Sequence, residues 1–227
     1  MARRPVFLPA YAVGDRVQVK SIEFAWVAGL ARSQKQKCID SLHEQVRKQA
    51  SVSRVLEISS KSRDPLGVAL SAFNLSFPLD GRQVCVEVAF QSSKRYVAGG
   101  PFTDLLSRTA REAKTDPRLK ESGLLLEFVW KGESWGLKPR TAFYDWLYIN
   151  ALTANPDLLT ELLTFEAFTD IEFNPERSLN CQAASAALFV ALSKRGELEP
   201  ALANREAFIA QMKMAAASSP SIQGSLI

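Results

Sequence analysis

The sequence has one histidine, three cysteines and no long apolar run, and each shortage excludes a class of function. His43 is the only histidine, so one chain cannot supply a metal site built from several histidines. A Ser-His-Asp mechanism would likewise depend on His43 alone. The residue lies in the charged segment 34–49, which is typical of an exposed helix, and we expect a surface histidine without a chemical role.

The cysteines, Cys38, Cys85 and Cys181, are odd in number and widely spaced. They form neither a disulfide framework nor a pair with metal-ligand spacing, which is typical of a cytoplasmic protein. No segment approaches the roughly 18 apolar residues of a membrane span. Residues 1–5 contain two arginines but not the apolar run of a signal peptide. We therefore expect a cytoplasmic protein with no membrane partner and no metal site.

The composition is otherwise ordinary for a globular chain of 227 residues, since 47% is hydrophobic and 23% is charged. This length fits one domain with a sizeable core. The net charge of +4 comes from scattered lysines and arginines, so it is compatible with a polyanionic ligand without requiring one. We find no internal repeat and no linker that would divide the chain.

Hydrophobic periodicity predicts a single, predominantly helical α+β domain with a small β-sheet. We expect a β-α extension over residues 1–54 that packs on a core domain over 55–215, followed by a flexible tail over 216–227. The predicted strands are 13–19, 21–27, 55–60, 124–130 and 168–173, and the predicted helices are 34–50, 86–94, 104–114, 142–152, 155–163 and 182–192.

The stretch 70–94 organises the prediction. Its first half mixes apolar and small polar residues and ends in a turn signal, Asp80-Gly81. In its second half, Glu87, Gln91 and Lys94 are spaced i, i+4 and i+7, which places an acid, an amide and an amine along one line of a helix. Four apolar residues, at 84, 86, 88 and 90, border that line and favour a lined cleft over an ordinary amphipathic helix.

Other segments carry weaker signals. The loop 61–67 contains Lys61 and Arg63 and follows two serines, so it could hold a phosphate, although a plain surface turn fits it as well. The glycine-rich turn 96–101 lacks the spacing of a P-loop or a dinucleotide fingerprint, and we expect no cofactor. Asp145 stands among aromatic residues, where a carboxylate needs a partner.

Five pieces in order resemble the signature of the NADAR (YbiA-like) family and cover about residues 56–180. They are Leu70-Ser71-x-Phe73 with Asp80-Gly81, Glu87-x-x-Phe90-Gln91-x-x-Lys94, Glu112-Ala113-Lys114 with Arg118, Asp145-Trp146, and Asn155-Pro156 with Ile171-Glu172-x-x-Pro175. The chain departs from the broad family at Ala72, Asn74 and Val88, which stand where Asn, Tyr and His are usual. These departures argue against the metabolite substrates of the broader family.

The segments 56–62 and 168–175, together with the N-terminal extension, resemble the NADAR proteins encoded beside DarT-type toxins. In those systems the toxin ADP-ribosylates guanine bases of DNA, and the NADAR partner removes the modification. The resemblance therefore implies an antitoxin hydrolase that cleaves the N-glycosidic bond between ADP-ribose and guanine. Its partners would be ADP-ribose, the modified base in single-stranded DNA, and the cognate toxin.

With the resemblance, we expect Glu87, Lys94 and Glu172 to converge, with Asp145 or Asp170 orienting Lys94. Lys94 would act as an acid, or as a neutral amine that forms a Schiff base with the ring-opened ribose. A structural Glu–Lys ion pair is the alternative. The expected substrate-binding residues are Ser59, Ser60, Lys61, Ser71, Phe73, Gln91, Trp146, Asp170 and Asn180; the serines and Lys61 would hold the diphosphate, and Phe73 or Trp146 would stack on a base.

Two other functions stay open from the sequence. The first is an N-glycosidase that acts on a small phosphorylated metabolite. The second is an antitoxin that neutralises the toxin by binding it, without catalysis.

Overall fold

The computed structural model describes residues 1–12, 14–176 and 178–218, and it has the mixed α+β architecture that the sequence predicts. The strands are β1 Ala2–Pro9, β2 Val17–Phe24, β3 Val55–Glu57, β4 Ser76–Leu79, β5 Arg82–Cys85, β6 Lys94–Tyr96, β7 Leu125–Trp130, β8 Glu133–Trp135 and β9 Ala167–Thr169. The helices are α1 Arg32–Ala50, α2 Pro65–Ala69, α3 Val86–Ser92, α4 Ala110–Thr115, α5 Arg118–Glu121, α6 Ala142–Thr153, α7 Pro156–Leu162, α8 Gln182–Lys194, α9 Leu198–Leu202 and α10 Arg205–Ser218, with a 3₁₀ helix at Thr103–Ser107. Of the tail expected at 216–227, residues 216–218 end α10 and the others lie outside the described residues.

A four-stranded sheet in the order β2-β1-β9-β3 joins distant parts of the chain. β1 pairs with β2 antiparallel along its whole length and meets β9 at Phe7↔Phe168. β3 and β9 are parallel, with Glu57 opposite Thr169. The carboxyl ends of parallel strands lie at one edge of a sheet, so the residues after β3 lie beside the residues after β9.

The N-terminal strands differ from the prediction. Of the strand predicted at 13–19, residues 17–19 belong to one strand, Val17–Phe24, which also takes in most of the strand predicted at 21–27, and residue 13 lies outside the described residues. Ala2–Pro9 forms a strand that the pattern does not predict. Pro5 and Pro9 count against a central strand because proline has no N–H to donate. β1 nevertheless forms because β9 pairs with it only at Phe7, so most of that edge of β1 needs no donor.

The main core surrounds α3, in which every residue is buried. Phe90 of α3 lies 5.2 Å from Phe128 and 5.1 Å from Tyr144, measured between ring centroids. Phe143 stacks on Phe128 at 4.8 Å. The aromatic residues of α6 therefore fix α3 against β7. A buried side chain of this size contributes roughly 2 kcal/mol to stability.

Two local features position α3 and β3. The β4–β5 hairpin turns at Asp80 and Gly81, both with positive φ (49° and 77°), as a two-residue type I′ turn requires. α3 begins directly after this hairpin. Gly67 of α2 lies so close to β3 that a Cβ atom there would be 2.0 Å from the carbonyl oxygen of Glu57. Only glycine permits this contact.

Three sequence expectations need correction. Lys94 lies outside α3, which ends at Ser92, and it begins β6 instead. The expected helix 104–114 is a 3₁₀ turn followed by α4, because Thr109 caps a new helix by accepting a hydrogen bond from the Glu112 backbone N–H. The loop 61–67 contains the start of α2, where the Asp64 side chain accepts from the Leu66 N–H at 2.8 Å.

His43 is also not the exposed histidine that the charged segment indicates. It is half-buried beside Leu42, because the apolar face of α1 packs on the sheet. Its Nε2 lies 2.8 Å from Thr169 Oγ1. Burial, aided by the charge of Arg47, lowers the pKa of His43 to about 4, so the ring is neutral at pH 7. Among the described residues, none of the helices is both long and apolar enough to cross a membrane.

Candidate functional site

A cleft of about 1260 Å³ opens between the end of the four-stranded sheet, α3 and β7. Most of the residues singled out in the sequence line it. They are Ser59, Ser60, Ser71, Phe73, Glu87, Gln91, Lys94, Asp170, Glu172 and Asn180. The fold thus gathers segments that are far apart in the chain into one cavity.

The acid and amide of the central stretch form the inner wall. Gln91 Nε2 donates to Glu87 Oε1 at 2.8 Å, as expected for an i, i+4 pair on one helix. Lys114 Nζ of α4 lies 3.8 Å from the same oxygen. Glu87 is only 6% exposed, yet it lines the cleft. Gln91 Oε1 is buried and has no hydrogen-bond partner among the described residues, so an acceptor remains available in this wall.

Lys94 is half-buried at the start of β6, and its Nζ lies 4.8 Å from the centroid of the Phe90 ring. Burial lowers the pKa of Lys94 to about 8, Glu87 opposes this shift, and the charge of Lys114 adds to it. No carboxylate oxygen in the described part of the chain lies within 4.0 Å of its Nζ. With a pKa of about 8, Lys94 is the neutral amine in about a tenth of the molecules at pH 7. The structural ion pair between Glu87 and Lys94 is not formed.

A buried acid that the sequence reasoning missed, Glu57, ties together the ends of β3 and β9. Its carboxylate accepts hydrogen bonds from Ser59 Oγ at 2.7 Å, from Thr169 Oγ1 at 2.6 Å and from the Ile171 N–H at 2.8 Å. Since Thr169 gives its proton to Glu57, it must accept from Nε2–H of His43. Glu57 stands alone among apolar neighbours in a short strand, and that was the available signal.

Asp170 connects this network to the cleft wall. Its Oδ1 accepts from the Glu172 N–H at 3.0 Å, and its Oδ2 accepts from Gln182 Nε2 at 3.0 Å. Gln182 Oε1 in turn accepts from the Ala72 N–H at 2.7 Å, next to the backbone bond between the Glu87 N–H and Ala72 O. Burial, together with the nearby charge of Glu57, raises the pKa of Asp170 above its ordinary value. The acid therefore titrates at a pH where exposed aspartates are already ionised.

A comparison with protein families matches residues 2–221 to the model of the DarT1-associated NADAR antitoxins. The chain belongs to this family. The match covers the N-terminal extension as well as the cleft, and it supports an antitoxin role with a functional link to a DarT toxin. A search of curated proteins found no match.

In this NADAR antitoxin family member, four of the sequence candidates do not line the cleft. Asp145 lies on α6 against a separate pocket of about 340 Å³, and its Oδ1 accepts from Ser185 Oγ at 2.6 Å. Trp146 packs on Trp135, with ring centroids 4.9 Å apart. Lys61 is half-buried outside the cavity, and Arg63 pairs with Asp40 on the surface. Of the two acids expected to orient Lys94, only Asp170 lines the cleft.

Conversely, several residues of the NADAR cleft were not among the predicted site residues, although Lys114 belongs to one piece of the family signature. Lys114 lies over the Phe73 ring at 4.9 Å as well as beside Glu87. Arg4, Trp26 and Lys35 reach the rim from the N-terminal extension. Lys35 is the clearest case, since its charged segment predicts a solvated helix face but its side chain is 13% exposed and pairs with Glu172 at 3.1 Å. Within the described ranges, no group of three or more His, Cys, Asp or Glu side chains could hold a metal ion.

Proposed function

We propose that this chain is an antitoxin hydrolase that removes ADP-ribose from guanine in single-stranded DNA. The observation that carries the proposal is that a half-buried amine, Lys94, and a buried acid, Glu87, line the same open cleft. The lowered pKa of Lys94 gives this amine two usable protonation states near neutral pH. Membership of an antitoxin family linked to a DarT toxin supports the biological role.

The size of the cleft fits a substrate of this class. Its volume of about 1260 Å³ exceeds the roughly 300–1,000 Å³ of ordinary small-molecule pockets. A nucleoside diphosphate, a ribose and a modified base together need such a cavity. The adduct must leave the base stack to enter it, which favours a single strand over a duplex.

In the reaction, the bond between the anomeric carbon and the guanine nitrogen breaks, water adds its hydroxyl to carbon, and its proton goes to the nitrogen. Glu87 would stabilise positive charge on the sugar or activate the water. Lys94 would either protonate the leaving base or attack the ring-opened ribose as an amine, which expels guanine and leaves an imine that water hydrolyses. Both routes give free ADP-ribose and unmodified DNA.

The other acids have supporting places in this proposal. Asp170 fixes the backbone of Glu172 and the side chain of Gln182, so it shapes the part of the cleft wall after β9. Glu172 is engaged by Lys35 at the rim. Asp145 has no part in the proposed chemistry because its side chain faces another pocket.

The test uses a single-stranded oligonucleotide with one ADP-ribosylated guanine, incubated with the purified protein without added metal. We expect free ADP-ribose and unmodified DNA from the wild type and no release from Lys94→Ala. The matched control is Lys120→Ala, which removes an exposed lysine outside the cleft and should turn over normally. Unchanged turnover by Lys94→Ala would refute the assignment.

If the folded wild type releases nothing, the two alternatives separate in further assays. Cleavage of free phosphorylated nucleosides, without action on modified DNA, would favour a metabolite glycosidase. Co-purification with the toxin, with rescue of growth by Lys94→Ala, would favour a binding antitoxin.

A further inference from the structure

We propose that Arg4, Trp26 and Lys35 form a phosphate-binding subsite at the rim of the cleft. All three belong to the N-terminal extension and line the cavity. The ligand of this subsite is a phosphate ester or a diphosphate. Which part of the substrate carries that phosphate rests on the function proposed above. The subsite would hold a phosphate that lies beyond the reacting ribose.

Arg4 supplies a cation with unused donors. Its guanidinium carbon lies 5.5 Å from the centroid of the Trp26 ring, and its Nη1 donates to the Arg3 carbonyl at 3.0 Å. Its Nε is buried and has no hydrogen-bond partner among the described residues. No carboxylate among the described residues lies within 4.0 Å of the Arg4 guanidinium. Arg4 lines the cleft, so an anion at the rim would meet a positive charge that no acid among the described residues compensates.

Lys35 brings a second positive charge to the same ring. Its Nζ lies 5.1 Å from the Trp26 centroid and 3.1 Å from Glu172 Oε1. Trp26 thus holds two cations while Glu172 supplies one negative charge. A phosphate offers the missing charge, and its oxygens match the planar fork of an arginine.

The rim is connected to the proposed reaction centre through a continuous wall. Glu172, which pairs with Lys35, gives its backbone N–H to Asp170. Asp170 binds Gln182, which accepts from the Ala72 N–H next to Glu87. A phosphate at the rim would therefore occupy the same cleft as Lys94. It could come from the diphosphate of the ADP-ribose group or from the phosphodiester chain of the DNA.

The test measures binding separately from turnover. Arg4→Gln removes the charge, and Arg3→Gln is the matched control, because Arg3 is the preceding residue of β1 and pairs instead with Glu23 on the surface. Titration calorimetry measures the affinity for ADP-ribose, which carries the diphosphate. Fluorescence anisotropy measures the affinity for a labelled, unmodified single strand of DNA, which carries the phosphodiester chain. We expect Arg4→Gln to weaken at least one of the two by about tenfold, with Arg3→Gln within about twofold.

Loss of ADP-ribose affinity assigns the subsite to the diphosphate, and loss of strand affinity assigns it to the DNA backbone. Trp26→Phe should keep most of the affinity and Trp26→Ala should lose it, because the ring face holds the cations. Equal affinities in wild type and Arg4→Gln, or no binding of either probe by the wild type, would overturn the subsite. A wild type that binds but does not hydrolyse the modified strand would instead count against the proposed function alone.

Discussion

Two buried acids, Glu87 and Asp145, occupy similar positions and have different surroundings. Each lies in the first turn of a helix, and the exposed fractions are 6% and 5%. Glu87 faces the large cleft beside Gln91 and Lys114. Asp145 faces the small pocket and accepts from the hydroxyl of Ser185.

The comparison teaches that burial of an acid does not by itself mark a reaction centre. What distinguishes Glu87 is an open cavity large enough for a substrate and a nearby lysine whose pKa is lowered to about 8. Asp145 accepts a hydrogen bond from a neutral hydroxyl and lies away from the cleft, which fits a role in stability. Four predictions put this distinction at risk.

The largest effect should follow from Glu87→Gln. The amide keeps the size of the side chain but cannot carry the charge that the proposed reaction uses, so we expect a loss of roughly 10²–10⁴-fold in the single-turnover rate. Asp145→Asn is the matched change in the other acid and should stay within about twofold. Equal losses in the two variants would erase the distinction.

The next effect concerns pH. With the pKa of Lys94 at about 8, an amine that attacks the ribose gives a rate that rises about tenfold per pH unit below 8 and then levels. A lysine that donates a proton gives a rate that falls above 8. The single-turnover rate between about pH 6 and pH 10 therefore separates the two roles. A rate that does not change with pH near pH 8 would exclude Lys94 both as the attacking amine and as the proton donor.

A third prediction concerns stability. Burial raises the pKa of Asp145 from 3.8 to about 6. A raised pKa means that the protonated acid stabilises the fold below about pH 4, and that this contribution disappears as the pH rises through 6. The wild type should therefore lose roughly 2 kcal/mol of unfolding free energy relative to Asp145→Asn between pH 4 and 7, because the aspartate of the unfolded chain is already partly ionised at pH 4. Urea unfolding of both proteins measures it, and a constant difference would contradict it.

The sequence predicts local structure well and long-range contacts poorly. The helix at Ala142–Thr153 and the turn at Asp80-Gly81 follow from nearby residues, and both are confirmed. Glu57 gains its buried role from Thr169, 112 residues away, through the pairing of β3 with β9. No local pattern specifies that pairing, because either strand is only three residues long.

In the cleft, too, nearby residues are predicted from the sequence and distant contacts are not. The central stretch gives Glu87, Gln91 and Lys94 from spacing alone, although Lys94 reaches the cleft from a strand. The charged segment predicts a solvated Lys35, yet its ammonium lies against Trp26 and Glu172 and its side chain is only 13% exposed. The resemblance adds Asp145 as a family motif, and a motif does not show which pocket its side chain faces.

The smallest predicted effect tests whether charge near Glu87 tunes the reaction. Lys114 lies 3.8 Å from Glu87 Oε1, and its positive charge contributes to the lowered pKa of Lys94. Replacement by methionine removes that charge and keeps much of the side-chain length, so the pKa of Lys94 should rise by roughly a few tenths of a unit. The pH at which the rate changes should increase by the same amount. Lys120→Met, outside the cleft, controls for the loss of one positive charge. Because added salt screens the exposed Lys114, this shift in pH should be smaller at high ionic strength. If the rate instead changes at a lower pH in the variant, Lys114 acts on Lys94 in another way.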